Sequence, residues 1–342
     1  MMKTILVTGA GGYIGSVLVP KLLGKGYKVT ALDRYFFGTH TLAPHRNLTM
    51  VREDTRRLTE SHFAGIDAVI DLAAISNDPS GELFQEETYQ INFTARVNTA
   101  TLARKAGVRR YILPSSCSVY GFHDPDVMVD ETSPLNPLTT YAKANEKAEE
   151  GILPLAGGGF VVTVIRQATV FGYSPRMRFD LAVNAMVHSA WEKGIIPLNG
   201  DGTQWRPFVH IQDTTDAMLL LLETDPDKIN GEIFNIGSTV HNYQLKDLAD
   251  EVAQALPVAV EIERCGDPDR RSYRVSCDKI TSRLGWRPHR TVRDGAMEVY
   301  DALFTGKLAR TEQTITLNWY QELTRWHRII KELEMHGGMI SL

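Results

Sequence analysis

The sequence predicts an α/β protein built on a doubly wound parallel sheet, with a second, smaller domain of mixed α/β structure. Two observations lead to this prediction. Short apolar strand patterns alternate with helical patterns through the first half of the chain, and a glycine-rich turn directly follows the first strand pattern. Such alternation is typical of right-handed βαβ units, and ligands of these sheets bind at the carboxyl ends of the strands.

The first half of the chain contains the predicted strands of the main sheet. These are short runs rich in apolar and β-branched residues, at positions 5–8, 27–32, 47–51, 68–72, 111–113 and 160–165. Two long helical patterns, 86–106 and 141–153, lie between them. Because apolar residues occur on more than one face of each helix, we expect both helices to be covered on two sides.

The regular alternation ends near the middle of the chain. Residues 173–180 predict a basic loop before a helix, and residues 198–202 have the composition of a turn. Residues 208–211 and 232–236 predict strands that return to the sheet. The tail from residue 311 has apolar residues at helical spacing, so we expect a helix that packs on its own subunit.

The composition excludes several classes of protein. With 342 residues, of which 43% are hydrophobic, the chain can bury a large core. A net charge of −4 provides no footprint for nucleic acid or an anionic membrane, and no stretch approaches the roughly twenty apolar residues of a membrane span. Three irregularly spaced cysteines predict neither a disulfide framework nor a metal site, which favours a cytoplasmic protein.

The glycine-rich turn after the first strand predicts a dinucleotide site. Gly9, Gly12 and Gly15, with Tyr13 and Ile14 between the last two, occupy a GxxGxxG frame. Glycines at this spacing allow a tight turn and let bare backbone N–H groups approach a pyrophosphate. The third glycine lets the following helix pack closely against its strand.

The end of the second predicted strand indicates which dinucleotide is bound. Asp33 stands there, about 20 residues beyond the turn, where a carboxylate accepts hydrogen bonds from the adenosine ribose hydroxyls. A carboxylate would also repel a 2′-phosphate, so NAD(H) is favoured over NADP(H). The neighbouring Arg34 acts against this preference, because a guanidinium can accommodate that phosphate.

Further motifs join the glycine turn and Asp33 into one pattern. They lie at residues 54–55, 71–74, 115–121, 141–143, 200–206 and 284–288. As a set they resemble the extended short-chain dehydrogenase/reductase family, the NAD-dependent nucleotide-sugar epimerases and dehydratases. The resemblance covers residues 4 to about 299. It implies an NAD cofactor, a nucleoside-diphosphate sugar substrate and a homodimer formed by the helices at 86–106 and 141–153.

The resemblance also implies a division into domains. Residues 1–172 and about 207–240 would form a Rossmann-type NAD-binding domain. Residues of about 173–206 and 241–300 would form the substrate-binding domain. Residues 305–342 are left as a C-terminal helical extension.

The resemblance assigns roles to individual residues. Asp54, followed by Thr55, would take the adenine amino group. The backbone of Leu72, Ala73 and Ala74 would line the dinucleotide. The expected substrate residues are Ser116, Ser118, Thr169, Arg178, Arg206 and either Arg270 or Arg271 as a second clamp on the diphosphate. Arginine suits a diphosphate because its fork pairs bidentately with phosphate oxygens and stays charged.

Ser116 and Tyr141 are the predicted catalytic pair. Oxidising a sugar alcohol moves a hydride to the nicotinamide and removes a proton from the same hydroxyl, so a phenol and a second hydroxyl near one oxygen can form a proton relay. The family normally has a lysine four residues after the tyrosine, where this chain has Asn145. Without that cation Tyr141 would be a poor base near neutral pH but an adequate proton donor, which favours ketone reduction.

The segment after Ser116 also departs from several members of the family. Dehydratases of the family carry an Asp-Glu pair, and decarboxylases a Glu, where Cys117 and Ser118 stand here. Their absence argues against 4,6-dehydration and favours the serine-rich version found in 4-epimerases. Cys117 could move protons at sugar carbons, as in GDP-fucose synthase. We prefer the interpretation that it is a small residue in the wall of the site.

The sequence therefore predicts an NAD-dependent C4 epimerase of a nucleoside-diphosphate sugar that acts through a transient keto sugar. Two alternatives remain at this point. One is a 4-ketosugar reductase that uses external NAD(P)H, for which Asn145 is the best argument. The other is a catalytically inactive dinucleotide-binding sensor.

Overall fold

Seven parallel strands form the main sheet of the protein. The computed structural model describes residues 3–266, 271–336 and 338. The strands of the described residues, inside and outside the main sheet, are β1 (Thr4–Thr8), β2 (Lys28–Asp33), β3 (Leu48–Arg52), β4 (Ala68–Asp71), β5 (Arg110–Ser116), β6 (Met128–Val129), β7 (Val161–Gln167), β8 (Thr169–Phe171), β9 (Ile195–Asn199), β10 (Trp205–His210), β11 (Glu232–Ile236), β12 (Asn242–Gln244), β13 (Glu261–Cys265) and β14 (Arg274–Val275). The main sheet has the order β11-β7-β5-β4-β1-β2-β3, and every neighbouring pair is parallel.

This order confirms the doubly wound α/β fold. From β1 the chain first extends the sheet to one side through β2 and β3, and then to the other side through β4, β5, β7 and β11. The strand order therefore reverses between β1 and β4. A crevice opens at such a reversal, at the carboxyl ends of the strands, and this is where ligands bind in open α/β sheets.

Some helices cover both faces of the main sheet. Others, together with strands outside that sheet, build a second unit of the protein. They are α1 (Gly15–Gly24), α2 (Asp78–Leu83), α3 (Gln85–Tyr89), α4 (Arg96–Lys105), α5 (Thr140–Ile152), α6 (Ala182–Lys193), α7 (Ile211–Glu223), α8 (Pro226–Ile229), α9 (Leu245–Ala255), α10 (Asp278–Leu284), α11 (Val292–Phe304) and α12 (Thr316–Leu333). The helix predicted at 141–153 is confirmed as α5.

The helix predicted at 86–106 is present but not uniformly α-helical. Residues Gln90–Ala95, between α3 and α4, form a π-helical segment. The side chain of Asn92 in this segment accepts a hydrogen bond from Ile75 N at 2.9 Å and donates one to Ile75 O at 2.8 Å. Such tertiary bonds accompany a widened turn that helical periodicity alone does not predict, and π segments often occur at functional sites.

A second apolar core lies under the strands β8, β10 and β12 and the helices α6, α9 and α11. Phe171, Phe208, Leu248 and Val299 are fully buried in it. β10 runs parallel to β8 and antiparallel to β12. The packing of helices on these strands confirms the mixed α/β structure predicted for the second domain. The predicted strand at 208–211 is β10, whose last residue, His210, caps α7 by accepting from Gln212 N at 3.2 Å. The domain boundaries remain a prediction.

Candidate active site

A cavity of about 910 Å³ lies at the carboxyl ends of the parallel strands, between the two units. Its volume falls near the upper end of the range for small-molecule sites. The predicted cofactor residues that line it are Gly9, Gly12, Tyr13, Ile14, Gly15, Asp33, Arg34, Asp54, Thr55, Leu72, Ala73, Ala74 and Tyr141. The predicted substrate residues that line it are Ser116, Ser118, Thr169, Arg178, Arg206 and Arg271. Arg270 lies outside the described residues.

The glycine turn needs glycine because the backbone around it is closely packed. Gly9 has φ of +62°, and a Cβ there would lie 2.7 Å from Ala73 N. A Cβ on Gly15, the first residue of α1, would lie 2.5 Å from the carbonyl oxygens of Gly9 and Ala10. These approaches are too short for any side chain, so glycine lets the turn pack against the loop that follows β4 and lets α1 begin close against the turn.

Asp33 ends β2 beside the glycine turn. Its carboxylate accepts hydrogen bonds from Gly11 N at 3.0 Å and from Tyr35 N at 2.6 Å. Burial raises the pKa of this carboxyl, while the backbone donors and the charge of Arg176 act in the opposite direction. The carboxylate is thus held at the edge of the cavity by the turn that would contact a dinucleotide.

Arg34 is engaged with Asp54 and does not extend freely toward a phosphate. Its Nη1 donates to Asp54 Oδ2 at 2.9 Å, and its guanidinium lies 4.3 Å from the centroid of the Phe36 ring. Arg56 also donates to Asp54 Oδ2 at 2.6 Å, and chiefly this hydrogen bonding lowers the pKa of Asp54 to about 2. The structure therefore weakens the argument from Arg34 for NADP(H).

Ser116 and Tyr141 reach the cavity from two different elements. Ser116 ends β5, and its Oγ accepts from Ser118 N at 3.1 Å. Tyr141 lies in the first turn of α5, whose N-cap Thr139 accepts from Ala142 N. Burial raises the pKa of Tyr141, and hydrogen bonding with Ser116 acts against that rise. The structure thus brings together the two predicted catalytic hydroxyls.

Asn145 is not among the residues that line the cavity. It is 1% exposed, and its Nδ2 donates to the backbone oxygen of Tyr141 at 3.0 Å. Its Oδ1 accepts from Arg96 Nη1 at 2.8 Å. Burial raises the pKa of Tyr141, and the charge of Arg96, which is bonded to Asn145, acts in the opposite direction without reversing the rise. A cation outside the tyrosine motif therefore acts on the phenol, and a weak base near neutral pH remains the prediction for Tyr141.

Cys117 lies behind the wall of the cavity and does not line it. It is 1% exposed, and its thiol donates to the backbone oxygen of Arg166 at 3.3 Å. Burial raises the pKa of this thiol well above its usual range. Cys117 therefore lies behind the wall, one layer deeper than the preferred interpretation placed it. These features give no support to a catalytic role, because a buried thiol of high pKa is a poor acid/base group.

Several predicted substrate residues have polar groups in the cavity. Ser118 Oγ is buried and has no hydrogen-bond partner among the described residues. Arg178 forms a buried ion pair with Asp180 at 2.7 Å, and Arg271 pairs with Asp78. Arg206 donates to the backbone oxygen of Trp205 at 2.8 Å. The guanidinium groups of three arginines thus converge on one cavity.

Arg176 lies in the predicted basic loop but was not among the predicted site residues. Arg176 is 6% exposed and lines the cavity, and its guanidinium lies 3.6 Å from the centroid of the Phe37 ring. Its Nη2 donates to Thr316 Oγ1, whereas its buried Nε and Nη1 have no partner among the described residues. Burial lowers the pKa of Arg176 to about 10, so it remains charged at neutral pH.

The C-terminal helix also contributes to the site. Tyr320 of α12 lines the cavity and packs against the rings of Phe36, Phe37 and Phe84, with centroid distances of 6.3, 5.7 and 6.3 Å. Trp319 Nε1 donates to Phe36 O at 2.7 Å. The helix packs on its own chain, as predicted, and it closes one side of the cavity.

These residues fit a dinucleotide. The glycine turn offers close backbone approach, Asp33 lies beside it, and the unpartnered nitrogens of Arg176 present a buried positive charge. Buried cations require a compensating group, and an anionic ligand would provide one. The fold and the site define an enzyme that uses a dinucleotide to oxidise or reduce a hydroxyl-bearing substrate.

The chain belongs to the NAD dependent epimerase/dehydratase family. The family model matches residues 5–237, more than half of the chain. This membership confirms the predictions of family, enzyme class and NAD as the cofactor.

Similar proteins in this family are named for different reactions. UDP-glucuronic acid decarboxylase 1 of Arabidopsis thaliana is 27% identical over 308 residues, which are 85% of this chain and 67% of that protein. UDP-glucose 4-epimerase of Corynebacterium glutamicum is 26% identical over 315 residues, 84% of this chain and 91% of that protein. The structure of MoeE5 in complex with UDP-glucuronic acid and NAD aligns with a TM-score of 0.79 at 26% identity, covering 89% of this chain and 99% of that chain. These names include a decarboxylation and an epimerisation, so membership of the family does not by itself define the reaction of this chain.

The described residues form neither a membrane-spanning helix nor a cluster of metal-binding side chains. None of their helices has the length and apolar character required to span a bilayer. No group of three or more His, Cys, Asp or Glu side chains in this part of the chain could hold a metal ion.

Proposed function

We propose that the protein is an NAD-dependent C4 epimerase of a nucleoside-diphosphate sugar. The observation that carries the proposal is that Ser116 and Tyr141 line the same cavity as the glycine turn. NAD, when bound, supplies the acceptor for a hydride and later returns that hydride. A reaction of this kind also needs a group that takes a proton from the sugar hydroxyl and gives it back.

Tyr141 is the proton carrier in this proposal, and Ser116 orients the hydroxyl on which it acts. The phenolate takes the proton of the C4 hydroxyl as the ketone forms, and the phenol returns a proton when the hydroxyl forms again. Between these steps the keto sugar turns its other face toward the hydride donor. The cavity of about 910 Å³ supports the proposal, because it extends beyond the dinucleotide residues to Arg206 and Tyr273.

The arginines of the second unit support a diphosphate substrate. Arg206 and Arg271 line the part of the cavity next to Tyr273, and Arg206 lies over that ring with its guanidinium carbon 5.2 Å from the centroid. Arginines bind phosphate oxygens bidentately and remain charged at all relevant pH values. We therefore assign the diphosphate to Arg206 and, of the two candidates for the second clamp, to Arg271.

The acidic residues of the cavity argue against elimination and decarboxylation. Cys117 and Ser118 follow Ser116, where an acid would be needed. Asp78 lines the cavity but is held by Arg271 and by Thr139, whose Oγ1 donates at 2.5 Å. Asp180 is held by Arg178 and by Asn77, whose Nδ2 donates at 2.6 Å. A carboxylate bound to an arginine is a weak base, so neither group is suited to abstract a sugar proton.

A 4-ketosugar reductase is the second candidate, because the pKa of Tyr141 is raised. Burial raises this pKa, and the charge of Arg96 offsets only part of the rise. A protonated phenol suits ketone reduction, whereas epimerisation also needs the phenolate as a base. The charge of Arg96 acts in the direction that epimerisation requires.

A test of the proposal uses UDP- and dTDP-sugars that carry deuterium at C4, without added NAD. The enzyme as purified should contain bound NAD and should form the C4 epimer with deuterium retained, as measured by NMR. Tyr141→Phe is the matched inactive control, because it removes one oxygen. Stoichiometric consumption of added NADH would indicate a reductase instead, release of carbon dioxide a decarboxylase, and cofactor binding without turnover a sensor.

A further inference from the structure

Arg96 connects the loop after β4 to the helix that carries Tyr141. It lies at the start of α4, directly after the π segment, and is 3% exposed. Its Nε donates to the backbone oxygen of Ala73 at 3.2 Å, and its Nη1 donates to Asn145 Oδ1 at 2.8 Å. Ala73 lines the cavity, so the guanidinium lies just behind the wall that would face the dinucleotide.

We propose that Arg96 is a positioning residue for Tyr141. The family's lysine normally places a positive charge beside the tyrosine. In this chain Arg96 provides that charge from the neighbouring helix, where Asn145 holds it in position. Arg96 and Asn145 act as one unit in this proposal: the arginine carries the charge and the asparagine holds the arginine against α5. The inference rests on the proposed function only in assigning Tyr141 as the proton carrier.

The hydrogen bonds of Asn145 fix the orientation of its amide. Nδ2 donates to Tyr141 O, one turn earlier in α5, and Oδ1 accepts from Arg96. A lysine at position 145 would replace this acceptor with a second buried cation next to the guanidinium. Like charges at such short distance repel strongly where water is excluded. The asparagine instead offers Arg96 a neutral acceptor at this position.

The hydrogen-bond acceptors of Arg96 do not neutralise its positive charge. Both acceptors of its guanidinium, Ala73 O and Asn145 Oδ1, are neutral groups. The nearby carboxylate of Asp71 is bonded by Thr8 Oγ1 and by Tyr111 OH, which lies 2.5 Å from Asp71 Oδ2. A charge in a buried, dry environment acts over a longer distance than one in water. Arg96 is thus placed to favour the phenolate of Tyr141.

Other charged groups face Tyr141 from the elements packed against α5. Asp78 of α2 raises the pKa of Tyr141 and is itself paired with Arg271. Glu82 of α2 accepts from Thr140 N at 2.7 Å, next to the tyrosine. Farther along α5, the buried Glu149 is paired with Arg166 of β7 at 2.7 Å. Each of these acids has its own donor, whereas Arg96 acts on the phenol as a cation held by neutral groups.

The experiment measures the acidity of the phenol directly and needs no substrate. 3,5-Difluorotyrosine, whose phenol is more acidic than that of tyrosine, replaces Tyr141 in the full-length protein and is titrated by ¹⁹F NMR. We expect Arg96→Gln to raise the phenol pKa by about one unit or more, the size of effect that a nearby opposite charge has. Arg96→Lys should leave most of the charge effect in place. An unchanged pKa in folded Arg96→Gln would overturn the proposal.

The matched control is Arg110, an arginine of similar burial at the opposite end of the sheet. It is 5% exposed, and its guanidinium donates to the backbone oxygens of Leu221, Leu222 and Thr224. Arg110→Gln should lower thermal stability as Arg96→Gln does, because both leave buried acceptors unpaired. It should not move the phenol pKa. A shift of equal size in this control would assign the effect to general destabilisation and overturn the proposal.

A double substitution covers the case in which Arg96→Gln does not fold. Asn145→Lys alone should lower the melting temperature, because two cations then meet in the interior. Arg96→Gln combined with Asn145→Lys should recover stability relative to Asn145→Lys and should return the phenol pKa toward the wild-type value. If the double variant loses the sum of the stability losses of the two single variants, the idea that one cation replaces the other is contradicted. A lysine at position 145 is therefore expected to provide a useful charge only when Arg96 has been removed.

The two proposals fail in different ways. If the phenol pKa responds to Arg96 but no sugar nucleotide is epimerised, the proposed function fails and the role of Arg96 stands. If epimerisation is found but its pH profile and the phenol pKa are the same in wild type and Arg96→Gln, the role of Arg96 fails and the proposed function stands.

Discussion

The carboxylate of Asp33 accepts a hydrogen bond from the backbone N–H of Gly11 at 3.0 Å, so the acid at the end of β2 and the glycine turn after β1 form one unit. A Cβ on Gly11 would lie 3.5 Å from the same carboxylate and 2.8 Å from the Tyr35 ring. The position of the acid relative to the turn is therefore set by backbone contacts. We predict that this unit determines which dinucleotide the site accepts.

The first prediction concerns this choice. Wild type should bind NAD(H) more tightly than NADP(H), and Asp33→Ala should narrow or reverse the ratio by about tenfold or more, since juxtaposed like charges cost several kcal/mol. Calorimetry of both cofactors measures the ratio. Arg34→Ala should leave it nearly unchanged, because Arg34 is paired with Asp54. Tighter binding of NADP(H) by wild type would show that Arg34 dominates.

The second prediction concerns the proton relay. Tyr141→Phe should lower the rate in both directions by about 10²- to 10⁴-fold, the usual contribution of a positioned acid/base. Ser116→Ala should lower both rates and move the oxidative pH profile slightly toward higher pH, because it removes a hydrogen bond that lowers the pKa of Tyr141. Because burial raises the pKa of Tyr141, oxidation should rise with pH until the phenol is ionised, and reduction should fall above that pH. Wild-type turnover in Tyr141→Phe would exclude this relay.

The third prediction separates the cysteines by burial. Cys117 is buried and the pKa of its thiol is raised, whereas Cys265 is exposed. Iodoacetamide should therefore modify Cys265 in the folded protein and leave Cys117 unmodified, as mass spectrometry of the digest can measure. Cys117→Ala should keep most of the activity and lose about 1 kcal/mol of stability. A large loss of turnover with intact folding would restore Cys117 as a catalytic residue.

The fourth prediction concerns the C-terminal helix. Tyr320→Ala should speed release of the bound dinucleotide several-fold. The Tyr320 ring holds α12 against the aromatic residues that line the cavity, and this contact would be lost. Stopped-flow fluorescence of bound NADH measures this rate. Trp326→Ala is the control on the same helix, since that side chain is 53% exposed. Equal effects of the two substitutions would count against a role for α12 at the site.

The fifth prediction is the homodimer, with α5 and the helix made of α3, the π segment and α4 packed against their copies. Light scattering at micromolar concentration should give twice the 38.2 kDa mass of the chain. Phe93, whose ring lies 5.9 Å from Lys147 Nζ, stands where these two helices meet. Phe93→Asp should weaken the dimer. A monomeric mass for wild type would contradict the prediction.

Local pattern was sufficient to predict the parallel sheet and the dinucleotide end of the site. The strand at 5–8, the glycine turn and Asp33 lie close together along the chain, and their spacing reflects short-range geometry. Ser116 and Tyr141 were predicted from motifs to which the family resemblance assigned a role, one at the end of a strand and one at the start of a helix. Parallel strands bring such ends to one edge, so local motifs were enough to place them in one cavity.

The tertiary structure alone decided what surrounds Tyr141 and what closes the cavity. Arg96 and Asn145 are 49 positions apart, and Trp319 and Phe36 are 283 apart. Sequence periodicity describes which face of a helix is apolar, but not which polar side chain of a neighbouring helix reaches across the interface. The charge beside the tyrosine was therefore missing from its motif, because packing of α4 against α5 supplies it from a different part of the chain.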